Sequence, residues 1–149
     1  IYMKTIKITT LATLLIIVFV AAMCRKYDNA HEYITIINKS HEKIVYQEWV
    51  ENITTLSSLR CYEHGFISIA IQADSFRYCE SPIRPSGWEY YLDKGQILNI
   101  MIGSGKAYDQ YRAEPCDTFQ KYVPVLHQYL LTLEDLNRMN WTVVYPPEE

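Results

Sequence analysis

Along much of this chain apolar and polar residues alternate with the period of two that a half-buried strand requires. Tyr33-Ile34-Thr35-Ile36-Ile37-Asn38 is one such run, stopped by the turn cluster Asn38-Lys39-Ser40-His41. Ile44-Val45-Tyr46-Gln47-Glu48-Trp49-Val50 resumes it, and two β-rich runs across a short turn predict a hairpin. From Phe66 to Gln72 the alternation is regular, with Ile67, Ile69 and Ile71 on one side and Phe66, Ser68, Ala70 and Gln72 on the other. The segment Ser81–Gly87, with Pro82 and Pro85, predicts a loop. Trp88–Leu92 predicts a strand leading through Asp93-Lys94-Gly95 into Gln96–Ile102, which is apolar enough for a central strand. Glu114-Pro115 opens a short helix to about Tyr122, because proline suits the first helical position. Pro124 stops that helix, and Val125–Leu131 predicts another strand.

The closing segment is the most fully specified. Thr132 sets a capping hydroxyl three residues before Asp135, a near relative of the capping box, and both Glu134 and Asp135 suit the positive end of a helix dipole. Leu133, Leu136 and Met139 share one helical face, and Asn140 tolerates the left-handed conformation that ends such a helix. Trp141–Tyr145 is then a final strand, ended by Pro146-Pro147. The other end of the chain has a different pattern. Lys4 and Lys7 precede Leu11–Met23, an apolar run of the length of a secretory signal and short of a spanning helix. The run ends Val20-Ala21-Ala22-Met23-Cys24, small residues before a cysteine as in a bacterial lipobox, where the cysteine is acylated and becomes the new N-terminus. Met23 departs from that pattern, and ordinary cleavage after Ala22 is the alternative. The expected organisation is therefore a signal peptide over 1–23, a polar tether over 24–32, and a single β-rich domain over 33–149.

The stretch Thr132-Leu133-Glu134-Asp135-Leu136-Asn137-Arg138-Met139-Asn140-Trp141-Thr142-Val143-Val144-Tyr145-Pro146 resembles the ending shared by small exported lipoproteins of Bacteroides-group bacteria. Trp88-Glu89-Tyr90-Tyr91 and the strand around Ile97–Ile102 fit the same pattern more loosely. The resemblance implies a Gram-negative envelope location and an acylated Cys24. It brings no activity and no catalytic residues with it.

Composition narrows the function classes. The 13 tyrosines and the many β-branched residues favour a pleated, half-buried surface, while glycine is sparse. Removal of residues 1–23 takes away Lys4 and Lys7 and no acid, so the formal charge moves from −3 to −5. Mild acidity without a Lys/Arg cluster speaks against a nucleic-acid footprint.

Each candidate chemistry has a plainer competitor. Gly103-Ser104-Gly105-Lys106 follows a strand like the end of a phosphate-binding loop, but Ile100 and Ala107 stand where that loop needs a glycine and a hydroxyl, so a turn is favoured. Cys61 and His64 have a C-x₂-H spacing that Cys79 and Cys116 could complete, but no second close pair supports zinc. In an oxidising compartment cysteines pair instead. Among three pairings, Cys61–Cys79 is expected, because these residues flank the Phe66–Gln72 run and their bond would stabilise by about 3 kcal/mol. Cys116 is then a buried small hydrophobe. A thiol hydrolase would combine one of Cys61, Cys79 and Cys116 with one of His31, His41, His64 and His127, but no local motif selects a pair. Trp88, Tyr90 and Tyr91 are the aromatics expected at a binding surface, while Trp141 is expected in the core. Asn38, Asn52 and Asn140 head N-glycosylation triplets, which are coincidental if the source is bacterial, as the resemblance implies.

The expectation is a mainly β protein, a small β-sandwich (immunoglobulin-like or similar) with two short helical inserts. Its function is that of an outer-membrane-anchored lipoprotein, lipidated at Cys24, that binds or scaffolds an envelope protein or glycan without cofactor, metal or catalysis. The alternative is a small exported hydrolase using a Cys–His or carboxylate site.

Overall fold

The computed structural model describes residues 30–51, 58–61, 68–81 and 87–147. The signal region 1–23, Cys24, tether residues 25–29, the Asn52 triplet, His64, the Phe66-Ile67 start of the alternating run and loop residues 82–86 lie outside them. The described elements run β1 (Tyr33–Asn38), β2 (Ile44–Glu51), β3 (Ile69–Ile71), β4 (Ser75–Glu80), α1 (Glu89–Leu92), β5 (Ile97–Ser104), α2 (Gly105–Tyr111), α3 (Cys116–Tyr122), β6 (Val125–Leu131), α4 (Leu133–Arg138) and β7 (Thr142–Tyr145). The fold is mainly β, in two sheets. Among the described residues the helices number four, two more than expected.

The first sheet has the order β4-β1-β7, with β4 antiparallel and β7 parallel to β1. The second has the order β3-β2-β5-β6 and is antiparallel throughout. Between them lies the main core: Ile34, Ile36 and Val143 from the first sheet meet Ile44, Tyr46, Leu98, Ile100 and Ile102 from the second. A smaller core covers the opposite face of the second sheet, where Val45, Trp49 and Met101 pack with Leu59, Phe119 and Val123. With both faces of β5 covered, its near-continuous apolar run is explained.

β1 and β2 do not form the expected hairpin. They belong to different sheets, because each has a strong inner face and Ile34 and Ile36 meet Ile44 and Tyr46 across the core instead of beside one another. The crossover is pinned by buried Asn38, whose Nδ2 donates to the Glu42 carbonyl at 2.7 Å and the Gln72 carbonyl at 2.9 Å. Its Oδ1 accepts from the Ser40 hydroxyl at 2.6 Å.

Trp88–Leu92 is not a strand either. Buried Trp88 and Leu92 stand four residues apart, the spacing of one helical face, and the Leu92 N–H donates to the Trp88 carbonyl at 3.1 Å. Within the alternating run, described from Ser68 on, only Ile69–Ile71 form a strand, and β4 follows after a turn in which Asp74 has φ 52°.

The Gly103–Lys106 segment is the β5–α2 junction. Ser104 caps α2, its Oγ accepting from the Ala107 N–H at 3.3 Å. Gly105 packs so tightly on Lys43 that a Cβ there would stand 2.6 Å from the Lys43 carbonyl oxygen.

The disulfide joins Cys61 to Cys116, 55 residues apart, and Cys79 is the free buried thiol. The expected Cys61–Cys79 bond is thereby corrected, for a topological reason. Cys79 points from β4 into the main core, whereas Cys61 packs in the smaller core, so the second sheet stands between them. Cys116 opens α3 on the same side as Cys61.

The closing segment follows the sequence closely. Thr132 and Asp135 form a reciprocal capping box, and Leu136 is fully buried with Leu133 and Met139 packed beside it. Asn140 and Trp141 both take positive φ, 49° and 56°. The second is costly for a tryptophan. It is held by the Trp141 N–H donating to the Leu136 carbonyl at 2.8 Å and the Thr35 N–H donating to the Trp141 carbonyl at 2.9 Å.

Candidate functional site

At one end of the sandwich β2, β4 and α1 enclose a recess of about 350 Å³, lined by Glu48, Val50, Glu80, Trp88, Tyr91 and Gln96 along with Trp49. Alternation along β2 turns Glu48 to the same side as Ile44 and Tyr46, toward the opposite sheet. There it faces Cys79, and the two groups influence one another's ionisation. Burial pushes the Glu48 carboxyl up to about 7, since the charged form is poorly solvated. Burial likewise pushes the Cys79 thiol and the Tyr46 phenol well above their usual ranges, reinforced by the neighbouring acid. The Tyr46 hydroxyl, Glu48 Oε2 and Trp88 Nε1 are buried with no hydrogen-bond partner among the described residues.

α1 is fixed against this recess by the start of the domain. The His31 N–H donates to the Glu89 carboxylate at 2.9 Å, His31 Nδ1 lies 2.6 Å from Glu89 Oε1, and the Trp88 N–H donates to the His31 carbonyl at 2.9 Å. The His31 ring also stacks on Trp141, with centroids 4.0 Å apart and planes at 11°. Gly87 is confined here: its φ is 66°, and a Cβ would stand 2.8 Å from Ala30. His31 and Glu32, expected in the tether, are thus fastened to the domain, Glu32 through its carbonyl, which accepts from the Ser81 N–H at 2.7 Å.

Of the three aromatics expected at a binding surface, Trp88 and Tyr91 are brought together in the recess and Tyr90 is not among its lining residues. Trp88 is only 1% exposed and serves as a buried wall, whereas Tyr91 is half-buried. Tyr90 is exposed, edge-on to Tyr91 at 5.6 Å, with Lys94 Nζ 4.5 Å above its ring. Glu48 was missed, although an acid at an inward position of an apolar run is a readable signal. Also missed was the exposed row of Tyr33, Tyr78 and Phe76, whose rings meet edge-on at 6.0 and 5.4 Å.

The arrangement can hold or release a proton at Glu48 near neutral pH. It offers no ready thiolate, because Cys61 and Cys116 are bonded to one another and Cys79 is kept protonated. Among the described residues no three His, Cys, Asp or Glu side chains converge as metal ligands, and no helix is long and apolar enough to cross a membrane. No family model, curated protein or solved structure matches this chain.

Proposed function

We propose that this protein is an exported lipoprotein, anchored in the outer membrane through an acylated Cys24, whose β domain binds or scaffolds an envelope protein or glycan without catalysis. The observation that carries the reading is the state of the three domain cysteines. Two are joined in a disulfide, which suits an oxidising compartment, and the third is buried, with burial and the neighbouring Glu48 pushing its thiol well above its ordinary range. Of the described histidines, His31 is held by Glu89 and Trp141, His127 stands edge-on to Tyr129 at 4.4 Å, and His41 is exposed in the turn between β1 and β2. The recess beside Trp88 and Tyr91 is the seat for a partner's side chain or sugar ring, since it joins aromatic walls to a few polar groups.

Intact mass and detergent partitioning of the mature protein test the anchor. A mass that includes acyl chains on Cys24 and recovery in the detergent phase are expected. A water-soluble mature form with unmodified Cys24 would refute it. For the recess, a photo-crosslinking residue at Tyr91 in intact cells is expected to give one discrete adduct, lost when Trp88→Ala or Gln96→Ala empties the site.

A second reading is favoured by Glu48 itself, a carboxyl with its pKa near neutral in a recess, as a hydrolase acid would be. Turnover of envelope glycans that disappears in Glu48→Gln while the fold is retained would establish that reading over the first.

A further inference from the structure

The outward face of the first sheet has no charged side chain over most of its area. On β1 and β4, Ile34 and Cys79 pair and point inward, so Thr35 with Tyr78 and Ile37 with Phe76 pair on the outside. Tyr33 begins the same row, and Val144 of β7 lies beside Ile37. Tyr33, Phe76 and Tyr78 are 43%, 52% and 60% exposed, a concentration of large rings that a water-facing sheet surface does not need. Glu80, opposite Tyr33, is the one acid among these outward strand positions.

The position of this face relative to the N-terminal run names its occupant. Five residues lie between Cys24 and Ala30, the first described residue, and those six steps of chain span at most about 20 Å when fully extended. His31 is then locked onto Glu89, and Tyr33 follows two residues later as the first ring of the row. Tyrosine and phenylalanine beside an uncharged surface suit the boundary between lipid headgroups and acyl chains, where one end of a ring is apolar and the other wet. We infer that the outer face of the first sheet rests on the phospholipid surface in which the N-terminal segment is held, so that the domain lies flat on the bilayer with the recess at its rim. The inference rests on the anchoring proposed above and adds an orientation to it.

The native tryptophans Trp49, Trp88 and Trp141 are all buried, so an added surface tryptophan is a clean reporter. The full-length processed protein, as wild type, Phe76→Trp and Gln110→Trp, is reconstituted into phosphatidylethanolamine–phosphatidylglycerol vesicles with and without brominated acyl chains. Gln110 is an exposed position on α2, across the second sheet from the proposed contact. The reporter at 76 is expected to lose most of its added emission to brominated lipid and to resist iodide, while the reporter at 110 does the reverse. Vesicle-bound protein whose 76 reporter is quenched by iodide and not by bromine would overturn the orientation and leave the anchor standing. Shielding of that reporter from both quenchers would overturn it in favour of a second copy or a protein partner. Protein that does not associate with vesicles would overturn the anchor and the orientation together.

Discussion

The second sheet is covered on both faces, and the two coverings are built differently. On one face Tyr46, Ile100 and Ile102 meet the side chains of another sheet, and the largest buried residues, Trp88 and Tyr46 among them, gather there. On the other, Val45, Trp49 and Met101 meet α2 and α3, each seven residues long. Helices so short are not stable alone, since nucleation costs more than two turns of hydrogen bonds return. Here the Cys61–Cys116 bond ties the helical layer to the chain beneath it. The main core, by contrast, has apolar area to spare and carries a cost, the Glu48–Cys79–Tyr46 group with its incompletely satisfied oxygens. A covalent tie supports the small core, while the large one tolerates an ionisable group.

The largest effect is expected where the main core closes. Trp141 is buried, its Nε1 donates to Asn137 Oδ1 at 3.2 Å, and its ring carries His31. Trp141→Ala should cost near the upper end of roughly 3–5 kcal/mol, read from denaturant melts, because it leaves a cavity and frees the N-terminal clasp together. Unchanged stability would move Trp141 out of the core account.

Replacing Cys61 and Cys116 by serine tests the small core. A crosslink closing a loop of this span restricts the unfolded chain by about 4 kcal/mol on the chain-entropy model. Hydrogen exchange should show the loss concentrated in α2 and α3, with β1 and β5 protected as before. Uniform loss across both layers would mean that the two cores fold as one unit and would erase the contrast.

Glu48 sharpens the same contrast through pH. Its folded pKa is raised above the unfolded value, so the native state binds the extra proton between the two. Stability is therefore fully present below about 4.5 and falls as pH rises toward about 7, by up to roughly 3 kcal/mol if burial acts in full. Glu48→Gln should flatten that slope and leave the protein more stable than wild type at pH 8. An unchanged slope in the variant would assign the pH dependence to another group.

These two layers also explain which features were legible in the sequence. Local signals carried through: the cap at Thr132, the left-handed Asn140, the apolar run of β5, and the helix stopped by Pro124 each depend on neighbours a few residues away. What failed depended on the partner across the core. β1 and β2 carry equally good inner faces, so alternation could not tell a hairpin from two facing strands. The cysteines of the disulfide are 55 residues apart, and only the intervening sheet decides that Cys79 is excluded. Trp88-Glu89-Tyr90-Tyr91-Leu92 fits a period of two and a period of four equally well, and the packing of Trp88 and Leu92 on one side selected the helix. In the recess, Trp88 and Tyr91 were readable as aromatics, but the carboxyl that gives the site its chemistry comes from β2, far away in sequence.

The smallest effect belongs to the cap. The Thr132 hydroxyl accepts from the Asp135 N–H at 3.2 Å and donates to Asp135 Oδ2 at 2.7 Å, while the Thr132 N–H donates to that same oxygen at 3.0 Å. Hydrogen bonds from Thr132 hold the Asp135 carboxyl below its usual range, with a further contribution from Arg138. Thr132→Ala should therefore cost about 1 kcal/mol, well short of Trp141→Ala on the same helix–strand unit. Its pH signature runs opposite to that of Glu48: a depressed carboxyl contributes stability above its unfolded pKa and loses it as pH falls through the folded one. Melts of wild type and Thr132→Ala at falling pH should converge as pH drops through the depressed folded pKa of Asp135. If instead the difference persists undiminished after Asp135 is seen to protonate in the folded protein by NMR, the hydroxyl acts through the helix N–H alone and the reciprocal carboxylate arm contributes nothing to the closing segment.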